Sequence, residues 1–564
     1  MPLRTHLFFY NQVPTRALRL SRQQQFWSTG RSISATAPRR TPWQNGDPFL
    51  ETGDTTKFQR NEIAHASEPR KESFRVGADV TEAPRTEAER FRLSALDLFN
   101  TQNYSTHALI FEIKESEKTR IVETIKKGVA RTLGQCRHMA GTIERNEHGD
   151  YSIVTRPDST VRFDVQWLDD VESGYPSYAR IKNAHFTASS LGDPARLTIE
   201  GMTMSCRRYP DSSPSLVAFQ LNIIPGGLIF TVHKHHAALD IAGTASFVKQ
   251  IADNCAALWY GTSPPNWNEE WMDRSRFVVP AVGGANVVPS PAPGSHPGRL
   301  PSSWLLFHLS RDNSAKLKML CSPSNGGWIS TYDAIGAILW RVLLKHRARF
   351  YKPDLTQPAL FFEPINMRAR LIPKVPARYQ GNCLSAGTSQ SLGDPVTLAD
   401  VISDAPLSHL ASFIRRVGTA ATQENLEKMM EMMAPVRDKW LLHPPLDALP
   451  PMSLVITDWR GVRMCDDDFG FARPAAFRQL SDVVENMSWF HLKDTRSTIL
   501  SVTRRCCDTL SSEGLKPAPR DDQVARPILQ GVYPRKRTHI ACPILQFGRS
   551  LTEARGRILM RRPE

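Results

Sequence analysis

Polar ends around the apolar run in Thr106–Ile113 (Thr-His-Ala-Leu-Ile-Phe-Glu-Ile) give enough alternation to predict a strand. Phe74–Val80 is a shorter run of the same kind. Ile121, Ile125, Val129, Thr132 and Leu133 recur at three- and four-residue spacing, which predicts a helix reaching the break at Gly134. Two β-rich runs, Leu216–Ile223 and Leu228–Val232, are joined through Pro225-Gly226-Gly227, and glycine there permits the positive φ of a hairpin turn. A helix is predicted from about Gly243, with Val248, Ile251, Ala252, Cys255 and Trp259 inward and Gly261 closing it. Farther on, the pattern predicts a helix over Thr331–Leu344 capped by Ser330 or Thr331, a strand over Leu360–Pro364, and a Met-rich helix over Leu426–Met433.

Strands and helices alternate without a short parallel cadence, so the expected fold is mixed α/β in two lobes. The chain of 564 residues fits several packed units. Residues 1–72 are expected to be a disordered or targeting extension, 73–260 a first lobe and 301–485 a second. Between the lobes, 261–300 is rich in Pro and Gly and uncommonly long, as a crossover or site-covering loop would be. Residues 486–564 are dotted with Thr, Arg and Pro and are weakly periodic. A faulty gene model would account for that atypical segment, and the second lobe's sheet would then lack its closing element.

The formal charge of +15 suggests a nucleic-acid binder until it is located. Residues 1–46 hold seven Arg and no acid, and 501–564 hold 13 Lys and Arg against 6 Asp and Glu, leaving 51 basic against 50 acidic residues between them. The body is neutral, so no nucleic-acid groove is expected. No uncharged run is suited to span a membrane: Ser212–Val232 is broken by Pro225-Gly226-Gly227, and 278–298 is loop composition. Nine scattered Cys without a CxxC pair indicate a reducing compartment. The expected location is cytoplasmic. The alternative is mitochondrial, because residues 1–45 have the Arg-rich, acid-free composition of a presequence.

The outstanding chemistry lies in Val232-His233-Lys234-His235-His236-Ala-Ala-Leu-Asp240, where the predicted second hairpin strand gives way to a helix. Strand ends display reactive groups on a rigid scaffold, and an imidazole can take a proton from a hydroxyl near neutral pH. An Asp four residues later can fix the backbone around the His. Three other readings stand beside this one: a metal site on His233, His235 and His236, satisfied structural histidines, or a chance HxxxD. No second ligand cluster accompanies the histidines, and no metal is expected.

Further segments accompany this one in a fixed order. They are Leu93-Ser-Ala-Leu-Asp97, His138-Met-Ala-Gly141, His235-His236-Ala-Ala-Leu-Asp240, Ser330-Thr-Tyr-Asp333 through Trp340-Arg341, Asn366-Met-Arg368-Ala-Arg370 leading to Tyr379-Gln-Gly381-Asn382, and Asp468-Phe-Gly470-Phe-Ala472. Over roughly 74–485 the chain thereby resembles the BAHD acyltransferases, in particular their fungal trichothecene 3-O-acetyltransferase-like branch. The resemblance implies a chloramphenicol-acetyltransferase-like fold, with mixed sheets, flanking helices and a channel between the lobes. It implies acyl-CoA, acetyl-CoA by default, as co-substrate with no bound cofactor. The acceptor would be a secondary-metabolite alcohol such as a terpenoid or polyketide, and the protein a monomer. His236 would be the general base and Asp240 its motif partner, paired with Arg368. Asn366, Arg368, Asp468 and Gly470 would be structural support.

The chain departs from the family pattern at Ile241, where the glycine after the motif Asp is missing, and at Phe471 and Ala472, where Trp and the last Gly are missing. Two other functions stay open: a condensation-type transferase drawing on a carrier-protein thioester, and a non-catalytic binding relative.

Overall fold

The computed structural model describes residues 70–79, 86–99, 102–147, 149–203, 212–279, 302–444, 450–480, 487–494, 497–505 and 530–531, all within one compact unit. The presequence-like stretch, nearly all of the N-terminal extension, residues 280–300 of the crossover and most of 506–564 lie outside the described residues.

Two large mixed sheets organise the described chain. The first has six strands in the order Lys71–Gly77, Thr160–Trp167, Val217–Ile224, Gly227–His235, Tyr104–Glu112 and Ala476–Gln479. Its central hairpin is buried along its whole length, because both faces of the sheet are covered. Gly226, at φ +69°, supplies the turn behind Pro225, and Ile224 pairs with Gly227 across it. The helices Lys118–Gln135 and Ile241–Tyr260 pack against each other and share one core with this sheet, including Phe219, Phe230, Phe247, Ile125 and Ile251. The predicted break at Gly134 does not end its helix. A Cβ there would come within 2.5 Å of the Asp79 carbonyl, so the glycine serves close packing instead.

The second sheet runs Leu384–Thr388, Phe361–Asn366, Leu454–Asp458, Met487–Asp494, Ser497–Arg505, Ser302–Leu309 and Gln530–Gly531. The helices Thr331–Tyr351 and Leu407–Thr419 pack on each other over its core, around Trp340, Phe361 and Phe413. Ser330 caps the first of these in a capping box with Asp333. A small third sheet joins Glu89–Arg92, Tyr151–Thr155 and Thr142–Arg145.

The observed division differs from the expected one in two places. Ala476–Gln479 pairs antiparallel with Tyr104–Glu112, so the second lobe's chain returns to finish the first sheet. Met487–Asp494 and Ser497–Arg505 form an antiparallel pair inside the second sheet, between Leu454–Asp458 and Ser302–Leu309. The chain after 485 therefore supplies strands to that sheet through Arg505 and again at Gln530–Gly531. The pairing of Ala476–Gln479 with Tyr104–Glu112 and that of Ser497–Arg505 with Ser302–Leu309 join residues far apart in sequence, which local periodicity does not report.

Candidate active site

The Gly227–His235 strand ends at the turn His236–Leu239, and Asp240 caps the helix that follows. The His236 amide donates to the Asn103 carbonyl at 3.0 Å. Three carbonyls of the turn are then held by side chains from three different places. Asn382 Nδ2 donates to His236 O at 3.0 Å, Arg274 NH2 to Ala238 O at 2.9 Å, and Lys234 Nζ to Leu239 O at 2.5 Å. A turn with its carbonyls tied this way presents one backbone geometry.

Asp240 is buried, and both carboxylate oxygens are occupied. Oδ1 accepts from the Gly243 amide at 2.7 Å and Arg368 NH2 at 2.9 Å; Oδ2 accepts from Arg368 NH1 at 2.8 Å and the Cys383 amide at 2.9 Å. The guanidinium also donates to the carbonyls of Tyr379 and Gly381. Asn366 Oδ1 receives the Arg368 amide at 3.1 Å and its NH1 at 3.2 Å, which orients the guanidinium. Gly381 has no room for a side chain, since a Cβ would lie 2.3 Å from the Tyr379 hydroxyl oxygen. Asp240 and Arg368 thus form a buried pair behind the turn, with the exposed Asn366 at its edge.

A second buried acid, Asp97, sits on the other side. Its Oδ1 accepts from the Asn382 amide at 2.9 Å and from Asn382 Nδ2 at 3.0 Å. Its Oδ2 accepts from the Ser94 amide and hydroxyl and pairs with Arg274 Nε at 3.2 Å. Neither Arg274 nor the bridging role of Asn382 is anticipated by the sequence reading. Asn382 stands inside a quoted motif, whereas nothing in its local pattern marks Arg274.

His236 is partly exposed as a residue, while its Nδ1 is buried without a hydrogen-bond partner among the described residues. Burial first, then the Lys234 charge, holds its pKa well below the ordinary imidazole value; His235 acts in the same direction and the Asn382 side chain against it. The ring is therefore neutral at physiological pH and able to accept a proton. The other two histidines point elsewhere. His233 is buried against Thr106 Oγ1, the Met202 carbonyl and the Ile199 amide, and its pKa is lowered to about 4 mainly by burial. His235 stacks on Trp440 with ring centroids 5.8 Å apart. Among the described residues, no three His, Cys, Asp or Glu side chains come together as a metal-ligand set.

Asp468 and Gly470 are not in this cluster. Asp468 Oδ1 accepts from the Gly470 amide at 2.8 Å, and Gly470 sits at φ +87° with the place of a Cβ 2.5 Å from Trp259 Cβ. Phe469 is buried against Phe111 and Phe230, and Phe471 packs on Trp259 and Phe111. The missing glycines are explained: neither Ile241 nor Ala472 has a positive φ, and Phe471 keeps an aromatic ring in its slot.

Sequence and structural comparisons identify the family. Residues 104–255 match the trichothecene 3-O-acetyltransferase-like N-terminal domain, and 203–503 match the Transferase family. The chain belongs to the BAHD acyltransferases, in the trichothecene 3-O-acetyltransferase-like branch. It is 42% identical over 405 residues to the acetyltransferase FGR3 of Gibberella zeae, covering 70% of this chain and 81% of that one. It is 23% identical over 396 residues to the trichothecene 3-O-acetyltransferase TRI101 of Fusarium sporotrichioides, covering 67% of this chain and 83% of that one. The crystal structure of that enzyme with coenzyme A and T-2 superposes at a TM-score of 0.58, with 22% identity over 74% of this chain and 95% of the other. Vinorine synthase superposes at 0.54 with 15% identity, over 78% and 95%. These two superpositions establish the fold. The family match carries past residue 485, in line with the strands found there.

Proposed function

We propose that this acyltransferase moves an acyl group, acetyl as the default, from acyl-CoA to a hydroxyl of a secondary metabolite such as a terpenoid or polyketide, with His236 as general base. The observation that carries this reading is a neutral imidazole, borne by a partly exposed residue on a turn whose carbonyls are tied, beside an acid that is not available to substrate. Asp240 has all its acceptor capacity spent on Arg368 and two amides, so its part is to hold the turn. His236 takes the acceptor's hydroxyl proton as the oxygen attacks the thioester carbonyl. The tetrahedral adduct collapses with cleavage of the C–S bond, and the imidazolium returns its proton to the departing thiolate. Holding both substrates against the tied turn supplies much of the acceleration. The named activity of TRI101, and its crystallisation with coenzyme A and T-2, support an acyl-CoA donor and a terpenoid-type acceptor.

The test is a thermal-shift titration of the full chain with acetyl-CoA and with CoA, followed by thiol release against a panel of terpenoid and polyketide alcohols. A saturable shift is expected in wild type and in His236→Ala, with turnover in the variant lowered roughly 10²–10⁴-fold. The acid limb of the wild-type pH profile should lie below the ordinary imidazole pKa, because protonation of His236 is displaced downward. Wild-type turnover by His236→Ala would remove the base assignment. A well-folded protein with no response to acetyl-CoA would point to a carrier-protein donor or a binding role.

A further inference from the structure

Lys234 is 1% exposed, and among the described residues its ammonium has one hydrogen-bond acceptor, the Leu239 carbonyl. Among the described residues it makes no ion pair, and the neighbouring carboxylate of Asp240 is saturated by Arg368 and the amides of Gly243 and Cys383. On the adjoining strands its register partners are Ser105 and Val217, neither of them an ionisable partner. An ammonium buried with so little compensation is destabilising, and a methionine of similar length would fill the space without that cost. Its retention calls for something that a hydrocarbon cannot do.

We propose that Lys234 is a positioning residue of the acyl transfer, its ammonium closing the turn that carries His236 and placing in that turn a positive charge that acts on the imidazole while Lys234 is protonated. The inference rests on His236 being the base. The carbonyl tie fixes where the ring stands. The charge opposes protonation of the resting imidazole, and in the second half of the reaction it favours release of the proton to the thiolate. The other ionisable groups acting on the pair are His235 on the same strand and Asp240 at the start of the following helix, with Arg368 beyond it. Arg274 and Asp97 reach the turn only through the Ala238 carbonyl and Asn382. Burial lowers the pKa of Lys234 itself to about 7, so its charge is present on the acid side of neutrality, where it protects His236.

The test uses the full chain with labelled histidines, following the His236 ring through a pH titration by NMR and assigning it by its loss in His236→Gln. In Lys234→Met and Lys234→Gln the protonation midpoint of His236 should rise by about one pH unit. The acid limb of kcat/KM should move with it, while KM for acetyl-CoA stays near wild type. Lys234→Gln keeps a donor toward Leu239 without the charge and so separates the tie from the electrostatics. An unmoved His236 midpoint in a folded variant would overturn the proposal. So would failure of both variants to fold, which would make Lys234 a packing residue. Failure of the underlying functional reading would look different: wild type would release no thiol, whatever the titration showed.

Discussion

Asp240 and Asp97 are two buried acids of the first lobe that grip consecutive residues of the second, Cys383 and Asn382. Each is paired with an arginine, but the two pairs do different work. Arg368 meets Asp240 through two nitrogens at 2.8 and 2.9 Å, and its NH2 also donates to the Tyr379 and Gly381 carbonyls, all behind the helix start. Arg274 meets Asp97 through Nε alone at 3.2 Å and points NH2 at the Ala238 carbonyl, inside the turn itself. Asp97 also orients Asn382, whose amide reaches the His236 carbonyl. The motif acid therefore anchors the scaffold, and the acid outside the motif controls the backbone of the base. The HxxxD acid makes the stronger ion pair, which is not the one with the shorter path to His236.

The largest effect should come from breaking the stronger pair. Arg368→Ala leaves the Asp240 carboxylate buried without its cation and should cost about 3–5 kcal/mol, read as a large drop in Tm with parallel loss of soluble protein. Arg274→Ala should cost less stability, because Asp97 keeps Ser94 and Asn382, yet it should lower kcat more than its Tm change explains. Equal stability losses with equal kcat losses would erase the distinction between the two acids. Next comes Asn382→Ala, which removes the link between Asp97 and the His236 carbonyl and leaves an acceptor short on each side. It should cost about 1–3 kcal/mol and lower kcat with little change in KM for acetyl-CoA. A kcat equal to wild type would show that the turn holds its shape without that amide.

Some of this was legible in the sequence and some was not, for physical reasons. The central hairpin showed as two apolar runs around Pro225-Gly226-Gly227, and the strands Val217–Ile224 and Gly227–His235 stand where those runs lie. The helix after the motif was placed two residues late, because its start is set by the Asp240 cap and not by the apolar stripe. The pairing of Asp240 with Arg368 came from family resemblance; 128 residues separate them, and no periodicity spans that distance. Arg274 and Asn382 act through single contacts to carbonyls and a carboxylate far away in the chain, which leave no local pattern. Strand Ala476–Gln479 is four residues long and owes its place to the edge of Tyr104–Glu112. Its sequence alone carries too few positions to show a period.

The smallest expected effect tests the Asp240 side alone. Ile241 occupies the place where the family keeps a glycine, and it follows the Asp240 cap as the first residue of the Ile241–Tyr260 helix, half-buried against the first core. The close approach in this segment is made two residues later, where the place of a Gly243 Cβ is 3.2 Å from the Gly381 carbonyl. With no positive φ at 241, a glycine gains nothing there and loses partly buried apolar surface and backbone restriction. Ile241→Gly should therefore cost about 1 kcal/mol, a Tm shift of about 1 °C in a chain of this size, and should leave kcat unchanged. A gain in turnover without loss of Tm would mean that the substitution does restrain the motif turn, and that Asp240 governs the base more directly than its saturated carboxylate indicates.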